Sequence, residues 1–481
     1  MAENRRLTIQ QALSQAKKAT KKGDIDFAKQ LYAAVLQKHP NHLLAKKRLH
    51  KLEKGPRRKK SRPTGQTAPP PDQMHTLLSL YNSGEMRKAE QVCKKMLARY
   101  PQTPTVYTVL GATLIRQGKA EQALKVYDQA IQLRPDSAEA YNNRGIALQH
   151  LGQMEEAIRS YTQSIQLKPD YADAYYNCGN ALKELGQMEE AIKSYDRTIK
   201  LKPDYVAAYN NRGIAFKELG QPEEAIKSYE QAMQLKPDSA EAYTNRGNAL
   251  QDLGQLEEAL KSYAQSIQIK PDYAESYNNR GLALKDLGRL EEAIKSYHKA
   301  IQLKPGYVEA YYNRGIALKD FGRPEEAIKN YNKAIQLKPD HAKAYYSRGN
   351  ALKELDQLKE AIKSYDRAIQ LKPDYAAAYN NRGVPLQELG QLEEAIKNYE
   401  KAIQLKPDYA EAYSNRGNTH QELGQLEEAL KSYDQAIRLK PDYAEAYYNR
   451  GNTLNELIQL EDAVKSYDRA IQLKPDCNYS A

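Results

Sequence analysis

The sequence predicts an all-α solenoid of antiparallel helix pairs, and three observations predict it. Glycines recur every 34 residues from Gly111 to Gly451, and prolines keep the same step from Pro101 to Pro475. Each unit holds two stretches in which apolar residues recur at helical spacing. Tyr is abundant (37) whereas Trp is absent and Phe numbers 3, which indicates one motif copied many times. A fixed period of this length indicates a repeat architecture.

The unit 138–171 illustrates how each element is assigned, with positions 1 to 34 counted from its first residue. Helix A carries its apolar face at positions 4, 8, 11 and 14, and helix B carries its own between positions 17 and 30. Gly152 at position 15 separates the helices, because glycine adopts the left-handed conformation that ends many helices. Pro169 at position 32 ends helix B.

The chain divides by these signals into four parts. Residues 1–54 form a divergent helical repeat followed by a short helix, and residues 55–73 form a basic, Pro-rich linker. Residues 74–477 form the solenoid, with one divergent repeat (70–103) and eleven regular ones from residue 104. Residues 478–481 are a tail.

The unit resembles the tetratricopeptide repeat, which has small residues at positions 8, 20 and 27, aromatic residues at 4 and 24 and proline at 32. Gly at 8 and Ala at 20 are expected to be small because helices A and B cross closely there. The resemblance implies a right-handed superhelix, with positions 2, 5, 6, 9, 12 and 13 of helix A on its concave face. It also implies a protein-binding scaffold rather than an enzyme.

Asparagine dominates position 6 on this expected concave face. We call the following nine residues the Asn row: Asn143, Asn177, Asn211, Asn245, Asn279, Asn313, Asn381, Asn415 and Asn449. Five more stand at position 9: Asn180, Asn248, Asn350, Asn418 and Asn452. A carboxamide offers two donors and two acceptor lone pairs, so it can bond both the N–H and the C=O of a peptide backbone. Helices packed about 8–10 Å apart would present one Asn to about every third residue of an extended chain.

The Asn row has alternative interpretations. Repeats this similar share residues through duplication, so the asparagines could instead be solvated surface residues or caps within the repeat. The unit is similar to the repeats of O-linked N-acetylglucosamine transferases, whose Asn row holds substrate peptides, and this implies the same use here. The chain ends at DCNYSA, which leaves no expected room for a catalytic domain. An adaptor for a glycosyltransferase or sulfotransferase system is therefore one alternative function.

The net charge of +12 is concentrated near the N-terminus. Residues 1–73 hold 18 Lys and Arg against 5 Asp and Glu, a net +13, whereas the remainder holds 55 against 56, a net −1. A basic patch lies in the linker at Arg57, Arg58, Lys59, Lys60 and Arg62. A tether to nucleic acid or an anionic surface through residues 1–73 is the second alternative function, and a charged linker is the simpler interpretation.

Catalytic and cofactor signatures are not found in the sequence. Cys93, Cys178 and Cys477 are far apart and form no CxxC pair, and the eight histidines share no repeat position in the regular array, so no metal site or disulfide framework is predicted. The periodic glycines predict turns and close packing rather than a phosphate loop. We expect no enzyme activity, no cofactor, no small-molecule substrate and no membrane span. Unpaired thiols and the lack of a signal-like start predict a cytoplasmic protein.

Local departures from the repeat predict weak points. Pro385 falls inside helix A of the repeat 376–409 and is expected to kink it and disturb the row near Asn381. Asp356 and Ile458 replace the turn glycine. The last repeat has no capping helix, which predicts fraying or self-association beyond about residue 450. Arg recurs at position 7, and we expect it to pack between repeats.

Overall fold

The computed structural model describes residues 8–22, 24–53 and 68–474, and every regular element within them is an α-helix. The helices in the first part of the chain are α1 (Ile9–Lys22), α2 (Ile25–Lys38), α3 (Leu43–Glu53), α4 (Pro71–Asn82), α5 (Met86–Arg99), α6 (Pro104–Arg116), α7 (Ala120–Leu133) and α8 (Ala138–His150). They are followed by α9 (Met154–Leu167), α10 (Ala172–Glu184), α11 (Met188–Leu201), α12 (Val206–Glu218), α13 (Pro222–Leu235), α14 (Ala240–Asp252), α15 (Leu256–Ile269), α16 (Ala274–Asp286), α17 (Leu290–Leu303) and α18 (Val308–Asp320). The remaining helices are α19 (Pro324–Leu337), α20 (Ala342–Glu354), α21 (Leu358–Leu371), α22 (Ala376–Glu388), α23 (Leu392–Leu405), α24 (Ala410–Glu422), α25 (Leu426–Leu439), α26 (Ala444–Glu456) and α27 (Leu460–Leu473). The predicted all-α repeat fold is confirmed.

The chain forms two compact units, Met1–Ala147 and Leu148–Ala481, and the division falls within α8. In the first unit, α1, α2 and α3 share an apolar cluster around Ala16, Tyr32 and Ala45. The helices α4 to α7 enclose a second cluster that includes Leu77 and Tyr127.

The second unit repeats one helix pair with little variation. Helices A have 13 residues and helices B have 14, and each helix packs against the next along the chain. The predicted close crossing at position 8 is confirmed: a Cβ on Gly213 would lie 2.5 Å from a ring carbon of Tyr229. That tyrosine, at position 24, is fully buried. The tyrosine ring of helix B therefore packs directly against the backbone of helix A at the position-8 glycine.

The turn between the helices uses a left-handed residue at position 15. Gly186 has φ +76°, and the two residues that replace glycine adopt the same region, Asp356 at φ 58° and Ile458 at φ 62°. A β-branched side chain is poorly suited to this conformation, so the turn at Ile458 is strained.

Arginine at position 7 joins neighbouring repeats, as expected. Arg212 donates from Nη1 to Asp196 Oδ1 of the preceding repeat (2.7 Å) and from Nε to Ser228 Oγ of its own helix B (3.1 Å). Arg246 bonds Glu230 and Ser262 in the same way. These partners lie at positions 25 and 23, so the guanidinium bridges two helices B.

The expected disturbance of the Asn row near Pro385 is wrong, whereas the expected kink of the helix stays a prediction. Helix α22 runs without a break through Pro385 and has the same length as the other helices A. Asn381 Nδ2 bonds Tyr346 Oη (3.0 Å) and Asn350 Oδ1 (2.9 Å), as Asn211 does in the repeat 206–239. Helix α20 of the preceding repeat holds this side chain, so the loss of one backbone donor four residues later does not displace it.

The last described repeat exposes apolar side chains. Leu460 and Val464 are each 56% exposed and Ile471 is 50% exposed, whereas Ile301, which is equivalent to Ile471 in an interior repeat, is 8% exposed. Self-association through this face stays a prediction. Among the described helices, none is long and apolar enough to cross a membrane.

Candidate functional site

The Asn row lies on helices A, and each of its members is half-buried. Asn143 belongs to the first unit, where its Oδ1 accepts a hydrogen bond from Asn142 (3.4 Å). The other eight members lie in the second unit, one on each helix A except α20, which carries Ser347. The second unit therefore brings most of the predicted row together.

A hydrogen-bond ladder joins the Asn row to the preceding repeats. Four members donate from Nδ2 to the Oδ1 of the position-9 asparagine one repeat earlier, at 2.8–2.9 Å: Asn211 to Asn180, Asn279 to Asn248, Asn381 to Asn350 and Asn449 to Asn418. Three donate instead to an asparagine at position 5, each at 3.1 Å: Asn245 to Asn210, Asn313 to Asn278 and Asn415 to Asn380. The preceding repeat supplies a carboxamide at one of these positions or the other.

Position 5 corrects one expectation. It was placed on the open inner face, but its asparagines are buried between helices A, with Asn278 at 4% exposure and Asn210 at 9%. These asparagines act as internal acceptors for the ladder. The sequence carried a signal for this role, because the repeats from 138 to 477 that have Asn at position 5 have an apolar residue at position 9.

Beneath the ladder lies the buried tyrosine of position 24. Tyr195 donates from Oη to Asn180 Oδ1 (2.9 Å), and Tyr365 donates to Asn350 Oδ1 (2.8 Å). Burial raises the pKa of these phenols, so they stay protonated and act as donors. The position-9 carboxamides thus connect the core to the Asn row.

The side-chain oxygens (Oδ1) of the Asn row differ in whether they accept a hydrogen bond. Asn279 Oδ1 and Asn381 Oδ1 accept from the position-5 asparagine of the same helix, at 3.1 Å. Within the described part of the chain, five others accept no hydrogen bond: Oδ1 of Asn211, Asn245, Asn313, Asn415 and Asn449. These five half-buried oxygens are able to accept from a bound molecule.

Positions 12 and 13 carry polar side chains, with an acid at position 13 and Lys, Gln or Asn at position 12 in every repeat from residue 172. Lys217 Nζ lies 3.1 Å from Asp252 Oδ2, and Gln251 donates to Asp286 Oδ2 at 3.0 Å. Both contacts join position 12 to position 13 of the next repeat. In the nine repeats from residue 172 these two positions hold five Lys against nine Asp and Glu, so acidic side chains are in excess.

Two other sequence predictions have simple outcomes. The basic patch of Arg57, Arg58, Lys59, Lys60 and Arg62 lies outside the described residues, as does Cys477. Cys93 and Cys178 are buried and unpaired, and burial raises the pKa of the Cys178 thiol to about 11. No group of His, Cys, Asp and Glu suited to a metal ion occurs in residues 8–22, 24–53 or 68–474.

Comparison with known families matches this helix-pair array. The family described as "TPR repeat" matches residues 179–220, 215–254, 247–288, 281–322, 318–356, 349–390, 386–424 and 421–457. Families described as "Tetratricopeptide repeat" match residues 110–176, 160–193 and 444–477. The chain belongs to the tetratricopeptide repeat family. Tetratricopeptide repeats build extended surfaces for binding other proteins, so the chain is a protein-interaction scaffold.

Solved structures similar to this tetratricopeptide repeat protein include MamA, YrrB and the APC/C hetero-tetramer Cut9–Hcn1. MamA is 30% identical, with a TM-score of 0.32, over 34% of this chain and 96% of that one. YrrB, described as "a TPR protein with an unusual peptide-binding site", is 24% identical, with a TM-score of 0.34, over 39% and 96%. The APC/C hetero-tetramer Cut9–Hcn1 is 13% identical, with a TM-score of 0.43, over 84% and 93%. No curated protein matches the chain.

Proposed function

We propose that the chain binds extended segments of other proteins along the Asn row and carries out no chemistry itself. The observation that carries the proposal is the set of half-buried carboxamide oxygens that accept nothing within the described part of the chain. They lie on five of the eight members of the row in the second unit: Asn211, Asn245, Asn313, Asn415 and Asn449. A backbone N–H is their natural partner.

The ladder supports this use because it fixes the carboxamides before a ligand arrives. Asn245 is held by Asn210 and Asn211 by Asn180, so less side-chain freedom is lost on binding. One N–H of each Nδ2 serves the ladder, and the amide has a second that can meet a peptide carbonyl. Where Nδ2 also meets a tyrosine hydroxyl, as in Asn211, the oxygen is the main contact left to a ligand.

The expected recognition is repetitive and weakly selective. Each hydrogen bond contributes about 0.5–1.5 kcal/mol net, so affinity grows with the number of repeats engaged. Contacts to the backbone read little of the ligand sequence. Some charges at positions 12 and 13 pair, such as Lys217 with Asp252, but acids outnumber lysines there, so a strongly acidic segment would be disfavoured.

The test uses peptides selected for binding to the full chain from a random display library. The triple variant Asn211→Ala, Asn245→Ala and Asn279→Ala removes three consecutive carboxamides of the row. We expect it to bind the selected peptides at least about tenfold more weakly, since at least three hydrogen bonds are lost. Fluorescence anisotropy measures the affinity, and circular dichroism checks that helicity is unchanged.

The matched control removes the ladder without touching the row. Asn210→Ala with Asn278→Ala deletes two buried acceptors that no peptide can reach. A smaller loss of affinity than in the triple variant is expected, because these asparagines hold the row in place but make no contact with the peptide. Equal losses in the two variants, or unchanged affinity in the triple variant, would show that the Asn row is only structural.

A further inference from the structure

A second site arises where the position-7 arginine pattern breaks. In the second unit, six of these arginines bond the position-25 side chain of the preceding repeat. The pairs are Arg212 with Asp196, Arg246 with Glu230, Arg314 with His298, Arg348 with Asn332, Arg382 with Asp366 and Arg450 with Asp434. Arg280 has Ala264 at that place. A methyl group offers no acceptor, so the bridge between these two repeats is missing.

The groups that would form the bridge stand without partners. Across the residues that the structure describes, Arg280 makes no hydrogen bond or ion pair. Ser296, which is equivalent to the bonded Ser228 and Ser262, makes no hydrogen bond either, although it is only 5% exposed. Both line a cavity of about 160 Å³ together with Tyr277, Glu292, Lys295 and Lys299.

The charge around this cavity is positive once the internal pairs are subtracted. Glu292 is bonded by Arg289, with 2.7 Å between Nε and Oε1, and Lys295 pairs with Glu291 at 2.8 Å. Arg280 and Lys299 form no ion pair in the described part of the chain, although the positive charge of Arg280 adds to that of Arg289 in holding the pKa of Glu292 below its usual range. A half-buried guanidinium with fixed surroundings favours a charge-assisted bond to an anion.

We propose that this cavity binds a carboxylate side chain of a partner protein, which takes the place of the acid missing at position 25. Arg280 would hold the carboxylate with two parallel N–H donors, and the Ser296 hydroxyl would donate a third bond. The equivalent arginines in five other repeats bond a carboxylate or amide oxygen at position 25, and Arg314 bonds a ring nitrogen of His298 there. The site contains no residue of the Asn row, so its test is independent of the proposed peptide groove.

The lack of tryptophan in the chain allows a local optical test. Tyr277→Trp places a single tryptophan at the cavity, at a position where the family consensus has tryptophan. N-acetyl-glutamate N-methylamide should change its emission saturably, and the neutral N-acetyl-glutamine N-methylamide should not. Adding Arg280→Gln should raise the Kd for the glutamate probe at least about tenfold, the loss expected for a charge-assisted hydrogen bond.

A second variant tests whether misfolding, rather than the lost guanidinium, causes any loss of affinity for the glutamate probe. Ala264→Asp restores the missing acid within the chain and keeps Arg280, so it should also raise the Kd at least about tenfold by filling the site. Tyr243→Trp reports the equivalent, internally paired place beside Arg246 and should show no response.

Three results would overturn the proposal. They are no response of the Tyr277→Trp protein to the glutamate probe, an undiminished response after Arg280→Gln or Ala264→Asp, and an equal response at Tyr243→Trp. Inorganic phosphate is the last probe. A response to phosphate without a response to the glutamate probe would assign the cavity to a phosphate group and reject the carboxylate.

Discussion

The repeats 342–375 and 274–307 have the same helix lengths and the same buried tyrosine, but differ in how that tyrosine is satisfied. In the first, Tyr365 donates to Asn350 at position 9. In the second, Leu282 stands at position 9, and the buried hydroxyl of Tyr297 has no partner in the structure. Tyr229 and Tyr331 share this state, and each also has an isoleucine at position 9. In both classes of repeat the tyrosine ring packs in the core. Its hydroxyl adds a hydrogen bond only in the repeats that supply an acceptor.

The largest expected effect comes from removing the acceptor of a bonded tyrosine hydroxyl, which makes the repeat 342–375 resemble the repeat 274–307. Asn350→Leu leaves the Tyr365 hydroxyl buried without an acceptor and removes a ladder bond to Asn381. An unsatisfied buried polar group costs about 1–3 kcal/mol, so local stability around helices α20 and α21 should fall by that amount. Native-state hydrogen exchange of these helices measures it. Val384→Leu, at an apolar position 9, serves as the control, and equal effects of the two changes would remove the distinction between the classes.

A smaller effect separates the classes through the hydroxyl alone. Tyr365→Phe deletes a bonded hydroxyl and should lower the free energy of local unfolding by about 0.5–1.5 kcal/mol. Tyr297→Phe deletes an unpaired one and should be neutral or slightly stabilising, because a desolvated polar group is removed. The same exchange measurement applies to both. A loss at Tyr297 as large as that at Tyr365 would indicate a partner for Tyr297 in solution.

The smallest expected effect is the reverse conversion. Leu282→Asn offers Tyr297 an acceptor but gives up a half-buried leucine, so the net change should stay below about 1 kcal/mol. Coupling is the clearer readout. In a double-mutant cycle with Tyr297→Phe, the two sites should couple by about 0.5–1.5 kcal/mol. Additive effects would show that the new carboxamide does not reach the hydroxyl.

The sequence predicted the fold and the Asn row because both follow from local rules. A period of 34 with glycine at position 8 and proline at position 32 determines helix pairs, and position 6 follows from helical periodicity. The left-handed turns at Asp356 and Ile458 followed from their place in the period as well.

What could not be predicted depends on contacts between repeats. The exchange of Asn between positions 5 and 9 becomes meaningful only when both are seen to meet position 6 of the next helix A. The effect of Pro385 on the row was predicted wrongly because the helix rule considers one helix alone, whereas Tyr346 and Asn350 of the preceding helix A hold Asn381. The site at Arg280 was not predicted, because it depends on Ala264, which lies sixteen residues earlier in the preceding repeat.

The ladder has a consequence for how such a chain changes length over generations. Each rung joins a carboxamide at position 6 only to the repeat before it, and that carboxamide accepts either arrangement there, as Asn211 and Asn245 show. Loss or gain of one 34-residue unit by recombination therefore leaves a rung with a suitable partner wherever the new preceding repeat has Asn at position 5 or 9. The repeat 308–341, with Tyr312 and Ile316 at these positions, is an exception. Selection can lengthen or shorten most of the array in whole units with the same contact between repeats.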